Sequence, residues 1–370
     1  MYDVGILTFH CADNFGAMLQ AYGLKTYLRK KSINADIISY EPPFMTGRHW
    51  WIPYIPGSIH DIVRNAWYGW RNNLRMGWTF FECRARMKRF RKEYLLTHSV
   101  KKIYFTGQLK KLPYRYYIVG SDQIWNPDIT FGLRKVYFGA FENDCKKKVI
   151  AYAASIGKTS LASNFDLEFS KLIKSVDCIS VRERTAISYI SQFCKEDIWA
   201  VPDPVFLLKD KEWQKIEKVP EKEGYIFVYM TEDNNDLINY ARELSKQKGL
   251  MIFKVKGGPD FDDVNILTDY VAGPAEFLGY IHKADYVVTN SFHGVAFSII
   301  FQKKFVAFQH SSVGERISNV LTLHRLEDRM YQNDRYIEID RDIAWEEVRR
   351  HTKENVKVAE DFLLNNLCEI

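Results

Sequence analysis

Three features are scarce or missing in this sequence, and each absence excludes a class of protein. The six cysteines are scattered and form no Cys-x-x-Cys pair, which argues against a disulfide framework or a zinc ribbon and favours a reducing cytoplasm. No apolar run reaches the ~18 residues of a membrane-spanning helix. The N-terminal segment, MYDVGILTFH, has neither a basic start nor a long apolar stretch, so no signal peptide is predicted. We expect a cytoplasmic protein.

The composition is that of a folded protein of about two domains. Of the 370 residues, 46% are hydrophobic and 26% are charged, which excludes a disordered chain, a collagen-like repeat and a coiled coil. The formal net charge of +6 favours partners that carry phosphate or carboxylate. Aromatic residues make up 15% of the chain and suit both core packing and contact with sugar rings.

Short apolar strands alternate with periodic helical segments, a pattern typical of parallel α/β sheets. The first such unit runs from a strand at 4–8 through a helix at 17–30 to a strand at 35–39, and a second set of strands and helices begins at Tyr225. Residues 201–222 between the two sets are predicted to be a linker. The predicted fold class is α/β, with two Rossmann-like domains facing across a cleft. The predicted boundaries are 1–210 for the N-terminal domain, 218–345 for the C-terminal domain and 346–370 for a closing helix that could cross back to the first domain.

Residues 44–98 interrupt this alternation and are predicted to form a helical insert in the first domain. The segment contains five tryptophans and a basic run at 84–92. A solvated helix face is the simplest interpretation of such a run. Basic residues interleaved with aromatic ones also suit a helix at the inner membrane surface, which we keep as a hypothesis. No nucleic-acid partner is expected, although salt-sensitive binding to random DNA would favour one.

His293 is the strongest candidate for chemistry. It lies where a predicted strand ends at Thr289 and a helix begins beyond Gly294, and ligands bind at the carboxyl ends of strands in such sheets. A helix N-terminus favours neutral imidazole and lowers its pKa. His293 is therefore a candidate general acid or base. A histidine that only caps the helix is the alternative.

Arg182 leaves another predicted strand where a helix opens near Glu183. This position suits a guanidinium group that binds phosphate or carboxylate. A surface ion pair with Glu183 or a nearby acid explains the same residue equally well.

The loop Gly120-Ser121-Asp122-Gln123-Ile124-Trp125 resembles a polyol-binding loop. Asp122 could accept a proton from a sugar hydroxyl and Trp125 could stack on a sugar ring. An Asx turn with a buried tryptophan is the alternative. Of the other strand-to-helix turns, Asn14 is most simply an N-cap. The segment after Ser155 lacks the leading glycine of a Walker phosphate loop.

Six short motifs, in this order, resemble the polysaccharide pyruvyl transferase family. They are Asn14-Phe15-Gly16 through Gln20, Gly120 to Trp125, Ser155 to Gly157, Ser180-Val181-Arg182-Glu183, Asp203-Pro204 and Ser291-Phe292-His293-Gly294. The resemblance implies a GT-B-like fold. It also implies transfer of a pyruvyl group from phosphoenolpyruvate onto two hydroxyls of a sugar, as a cyclic ketal. The acceptor would be an exopolysaccharide, a capsule or a lipid-linked glycan precursor.

The resemblance also implies roles for individual residues. His293 would be the catalytic acid/base, with Asp122 as its candidate partner, and Arg182 would clamp phosphoenolpyruvate. Many family members have an arginine where this chain has Ser291, so Arg316 and Lys256 are candidates to supply the missing charge. The remaining candidates are Ser291 and Gly294 for the donor, and Asn14, Gln20, Ser121, Gln123, Trp125 and Ser155 for the acceptor.

No cofactor is expected besides phosphoenolpyruvate as the donor substrate, and no His/Cys/carboxylate cluster has the spacing of metal ligands. The rival interpretation is a GT-B glycosyltransferase that uses a nucleotide sugar. Such enzymes often bind the ribose diol with a glutamate in the C-terminal half. Between Glu276 and Glu315 this chain has no glutamate, which disfavours the rival.

Overall fold

A computed structural model describes residues 3–96, 101–144, 146–255, 266–310, 314–332 and 337–367. The chain divides into two compact units, Met1–Leu207 with Val356–Ile370, and Leu208–Asn355. Each unit has one parallel sheet with helices between its strands. The predicted α/β fold class with two Rossmann-like domains is thereby confirmed.

The first domain is built on a six-stranded parallel sheet. Its strands are β1 (Val4–Leu7), β2 (Ala35–Ile37), β3 (Tyr116–Asp122), β4 (Lys148–Ala154), β5 (Cys178–Val181) and β6 (Ile198–Ala200). Their order in the sheet is β2-β1-β3-β4-β5-β6, and the four central strands are almost entirely buried because helices cover both faces of such a sheet. The helices are α1 (Phe15–Lys30), α2 (Pro43–Thr46), α3 (Ile59–Met76), α4 (Trp78–Phe90), α5 (Pro127–Thr130), α6 (Asp166–Leu172) and α7 (Ile187–Ile190).

The second domain has a five-stranded parallel sheet. Its strands are β7 (Tyr225–Tyr229), β8 (Met251–Val255), β9 (Ile266–Asp269), β10 (Tyr286–Thr289) and β11 (Lys304–Ala307), in the order β11-β10-β7-β8-β9. Its helices are α8 (Asp210–Gln214), α9 (Asn235–Lys248), α10 (Pro274–Lys283), α11 (Phe292–Ile300), α12 (Gly314–His324) and the first part of α13 (Trp345–Asn366).

Side-chain caps fix where three helices begin. Asn14 Oδ1 accepts a hydrogen bond from the Ala17 N–H at 3.0 Å, and Asn234 Oδ1 does the same for Leu237 at 2.9 Å. Ser291 Oγ lies 3.5 Å from the Gly294 nitrogen. These bonds satisfy N–H groups that a helix leaves without a partner in its first turn. The caps therefore start α1, α9 and α11 just beyond the carboxyl ends of β1, β7 and β10.

The insert in the first domain is helical, as predicted. It consists of α2, α3 and α4, and a π-helical turn at Arg91–Leu95 continues α4. None of the α3 residues is buried. No helix within the described residues is long and apolar enough to cross a bilayer.

The predicted linker at 201–222 needs correction in its first part. Residues 201–208 are buried, and Pro204–Leu207 forms a 3-10 turn against α1. The carbonyl oxygen of Pro204 lies only 2.7 Å from where a Cβ on Gly23 would be, so a glycine in α1 permits this close approach. Helix α8 lies within the rest of the predicted linker.

Candidate functional site

A buried cluster of charges lies at the carboxyl end of β5. The Arg182 Nε donates to Glu183 Oε1 at 2.8 Å and its Nη1 donates to Asp203 Oδ2 at 2.9 Å. The Arg182 side chain is 2% exposed. Burial alone would lower its pKa, but the carboxylates of Glu183, Asp203 and Asp122 together raise the pKa. Arg182 is thus a permanent buried cation. The alternative of an ion pair with Glu183 and a nearby acid is correct in its partners, but the pair is buried and not at the surface. The predicted role of Arg182 as a clamp stays a prediction.

Asp122 ends β3 in an unusual backbone conformation. Its φ is 76°, a region that costs a residue with a Cβ about 1–2 kcal/mol. Its Oδ1 accepts from the Gln123 N–H at 2.8 Å, and its carbonyl oxygen accepts from the N–H groups of Ile124 and Ser155. Strained residues of this kind cluster at functional sites. Asp122 ends β3 and Arg182 follows β5, so two of the predicted site residues lie at the carboxyl ends of strands in the same parallel sheet.

Four of the predicted acceptor residues are buried and hydrogen-bonded within the first domain. Gln20 Nε2 donates to Thr8 Oγ1 at 2.7 Å, and Ser121 Oγ donates to the Ala153 carbonyl at 3.3 Å. Gln123 Oε1 accepts from Asn126, and Ser155 Oγ accepts from the Gly157 N–H. These side chains hold the loops at the sheet edge. Asn14 is exposed and caps α1, as its simplest interpretation predicted.

Trp125 is not available for the predicted stacking on a sugar ring. Its side chain is completely buried. Its ring stacks on Phe138 at a centroid distance of 5.1 Å and meets the Phe169 ring edge-on, and Nε1 donates to the Tyr137 carbonyl at 2.9 Å. The alternative of a turn followed by a buried tryptophan is therefore the correct one, and Trp125 anchors the loop from below.

His293 is the second residue of α11, at the carboxyl edge of the second sheet. Ser291 caps this helix, so capping does not account for the histidine. The imidazole is mostly buried and lies edge-on to the Phe292 ring at 5.0 Å. A Cβ on Gly294 would be 2.3 Å from Thr289 Oγ1, so the glycine lets α11 approach β10 closely. Packing therefore explains Gly294 as well as the predicted contact with the donor does.

The structure adds three polar residues that the sequence did not single out, and all of them follow strands of the second sheet. His310 Nδ1 is 3.5 Å from Glu232 Oε2. Asn290 connects the loop after β10 to the loop after β7. Its Oδ1 accepts from the Thr231 N–H and its Nδ2 donates to the Glu232 carbonyl. Their position just after β7, β10 and β11 was the signal that could have identified them.

Arg316, one of the two predicted substitutes for the family arginine, lies near these residues. Its guanidinium carbon is 5.2 Å from the centroid of the Phe292 ring, next to His293 in sequence. Burial lowers the pKa of His310, and the positive charge of Arg316 lowers it further, against the opposing effect of Glu232. Lys256, the other substitute, lies outside the described residues. Within the described residues no group of three or more His, Cys, Asp or Glu side chains could hold a metal ion.

The fold and these edge residues define an α/β protein with polar groups collected at the carboxyl ends of two parallel sheets, the usual ligand position in this class. The sequence profile of one family, polysaccharide pyruvyl transferase, matches residues 14–312. The chain belongs to that family.

Several solved structures are distantly similar to this chain. A UDP-N-acetylglucosamine 2-epimerase from Rickettsia bellii is 9% identical, over 99% of this chain and 98% of that chain, with a TM-score of 0.45. The UDP-GlcNAc 2-epimerase of Methanocaldococcus jannaschii is 12% identical over 95% and 92%, with a TM-score of 0.46. The E. coli heptosyltransferase WaaC with ADP is 11% identical over 95% and 99%, with a TM-score of 0.41. These likenesses carry no statement about substrate. No curated protein matches the chain in sequence.

Proposed function

We propose that this protein transfers a pyruvyl group from phosphoenolpyruvate onto two hydroxyls of a sugar and forms a cyclic ketal. The observation that carries the proposal is the position of His293. It is a largely buried imidazole in the first turn of a helix, at the carboxyl edge of a parallel sheet, in a chain whose family is polysaccharide pyruvyl transferase. Phosphoenolpyruvate carries a phosphate and a carboxylate, and helix N-termini and cationic side chains bind such groups.

The reaction requires one proton to be delivered and two to be removed. A proton added to the methylene carbon of phosphoenolpyruvate creates an oxocarbenium-like centre, which the first sugar hydroxyl attacks. The carbon–oxygen bond to phosphate then breaks, and the second hydroxyl closes the ring. Of the two hydroxyl protons, one balances the new methyl group and the other leaves with phosphate. We assign proton transfer to His293 and name Asp122 as the second candidate for it.

Cations for the donor have two sources in this proposal. Arg316 lies beside the Phe292 ring in the second domain and takes the place of the family arginine. Arg182 keeps its charge at any working pH because carboxylates surround it. Arg182 would act on the donor indirectly. Its positive charge would attract the anion, and its ion pairs would hold the loop after β5 in position.

The experiment is an assay of phosphate release from phosphoenolpyruvate with a panel of para-nitrophenyl hexosides as acceptors. We expect His293→Asn to abolish release while the melting temperature stays unchanged. His282→Asn is the control. His282 lies in the last turn of α10, which precedes the amino end of β10, and it pairs with Glu217 at 2.9 Å. Near-normal release by His293→Asn would exclude His293 from the mechanism. Nucleotide release from sugar nucleotides, without phosphate release from phosphoenolpyruvate, would favour a glycosyltransferase.

We also propose that α3 lies on the inner membrane surface. Ile59, Val63 and Trp67 follow one another at four-residue spacing and are 82%, 63% and 57% exposed, so they form an apolar stripe. The helix also carries Arg64, Arg71 and Arg75. An apolar stripe flanked by arginines suits an interface with anionic lipids.

A further inference from the structure

A cavity of about 550 Å³ lies within the first domain. Its lining includes Asp13 and Glu41, which follow β1 and β2, together with residues of α4 and of the π-helical turn after it. The volume is in the range of pockets that bind small molecules. It lies at the carboxyl edge of the sheet, where ligands bind in this class of fold.

Positive charge dominates the lining of this cavity. Two carboxylates, those of Asp13 and Glu41, face five cationic side chains, which are Arg84, Lys88, Arg91, Lys92 and Lys102. Arg84 and Lys88 are four residues apart on one face of α4, and Lys92 follows in the π-helical turn. All three line the same cavity, where like charges repel one another. A bound anion would relieve that repulsion.

The two carboxylates are already engaged. Asp13 Oδ1 accepts from Arg91 Nη1 at 2.6 Å, and Glu41 Oε2 accepts from Lys102 Nζ at 2.7 Å. Lys88 and Lys92 form no ion pair with any residue that the structure describes. Five cations against two carboxylates leave an excess of three positive charges, which matches a multiply charged anion better than a single carboxylate.

We propose that this cavity binds a diphosphate group that links the acceptor sugar to its carrier, an assignment to the acceptor that rests on the proposed function. Phosphate oxygens are the partners that clustered Lys and Arg side chains prefer. Asp122 ends β3, which pairs with β1, so the strand that leads to Asp122 is the neighbour, at a spacing of ~5 Å, of the strand that leads to Asp13. One sugar ring bridges such a distance. The exposed Trp50 and Tyr104 also line the cavity and offer a surface to a prenyl chain or a nucleoside.

Isothermal titration calorimetry of the intact protein with inorganic diphosphate tests the site. We expect binding that Lys88→Gln/Lys92→Gln weakens by about tenfold, as the loss of two solvent-exposed ion pairs predicts. Arg89→Gln/Lys101→Gln is the matched control, because it removes the same charge from exposed positions outside the cavity and should change the affinity less than about twofold. Lys102→Gln, on a different segment, should weaken binding as well. Absence of binding, or equal weakening in both double variants, would overturn the proposal.

Two further ligands distinguish the possible carriers. Geranyl diphosphate binding more tightly than inorganic diphosphate indicates a lipid carrier, and uridine diphosphate binding more tightly indicates a nucleotide carrier. If neither exceeds inorganic diphosphate, the cavity does not bind a carrier and the proposal is wrong. It is equally wrong if Lys88→Gln/Lys92→Gln weakens the binding of phosphoenolpyruvate to the same degree, since the cavity would then serve the donor. None of these titrations requires pyruvyl transfer, so failure here is separable from failure of the phosphate-release assay.

Discussion

A single buried arginine connects two strand ends of the first domain. Arg182 follows β5, and the Asp203 that accepts from it lies beyond β6 in a segment that is itself buried. Removing one partner from such a group leaves a charge without compensation, which costs far more than the pair gains. The residue therefore belongs to the structure of the site whether or not it contacts a ligand.

We expect Arg182→Gln to lower the free energy of unfolding by about 3 kcal/mol, because Glu183 and Asp203 would be left as buried carboxylates. Urea unfolding measures this. Arg184→Gln, exposed and two residues away, should change stability by less than about 0.5 kcal/mol. Similar stability of the two variants would show that the carboxylates of Glu183 and Asp203 adapt without the arginine.

Two substitutions of Asp122 separate its conformational role from its role in proton transfer. Asp122→Asn keeps a side chain that tolerates positive φ and an oxygen for the Gln123 N–H, so the melting temperature should not change. Loss of the carboxylate should lower phosphate release by about 100-fold. Asp122→Ala, which lacks both features, should in addition lose about 1 kcal/mol of stability. Normal turnover by Asp122→Asn would remove the carboxylate from proton transfer.

Among the helices and strands, those with strong periodicity or fully buried apolar runs were predictable from the sequence, and the marginal ones were not. Strand β7 (Tyr225–Tyr229) is buried throughout and begins at the predicted residue. Strand β6 is partly exposed, and β9 is half-buried along its length, so neither has the hydrophobic signal of a central strand. Helix α12 was also missed.

For the candidate site, too, the sequence predicted some features and not others. A residue's place after a strand is local information, and it identified Asp122, Arg182 and His293. What surrounds such a residue is set by segments distant in sequence. Trp125 is buried because Phe138 and Phe169 pack on it, and the cationic cavity exists because α4 lies over the ends of β1 and β2. Neither arrangement can be predicted from a local sequence pattern.

The exposed stripe on α3 leads to a prediction about membranes. We expect the intact protein to sediment with vesicles that contain anionic lipid, and Val63→Asn/Trp67→Asn to reduce the sedimented fraction several-fold, since two apolar anchors are lost. Phe105→Asn/Leu167→Asn is the control, because both side chains are 68% exposed elsewhere in the same domain. Equal pelleting with and without anionic lipid would reject the membrane contact.

At the scale of the whole molecule, each domain has a histidine whose burial favours the neutral imidazole, His10 in the first domain and His324 in the second. Burial lowers the pKa of His10 in the first domain and of His324 in the second, each from 6.5 to about 4. In both, Nδ1 lies within hydrogen-bond distance of a backbone carbonyl, at 3.2 Å from Thr8 and at 2.8 Å from Val320. The neighbouring charges are Glu41, Arg91 and Lys102 around His10, and His351 near His324.

These two histidines should make both domains sensitive to mild acid. Between pH 6.5 and about 4 the unfolded chain takes up protons that the folded chain excludes, so the free energy of unfolding falls as the pH falls. The loss approaches about 3 kcal/mol for each histidine at the lower limit, and above pH 7 both contributions are complete. We expect His10→Gln and His324→Gln each to flatten the pH dependence of urea unfolding in this interval, whatever their effect at pH 7. His60→Gln, in the exposed helix α3, should leave the slope unchanged. A slope that neither buried substitution alters would mean that both imidazoles can be protonated within the folded domains.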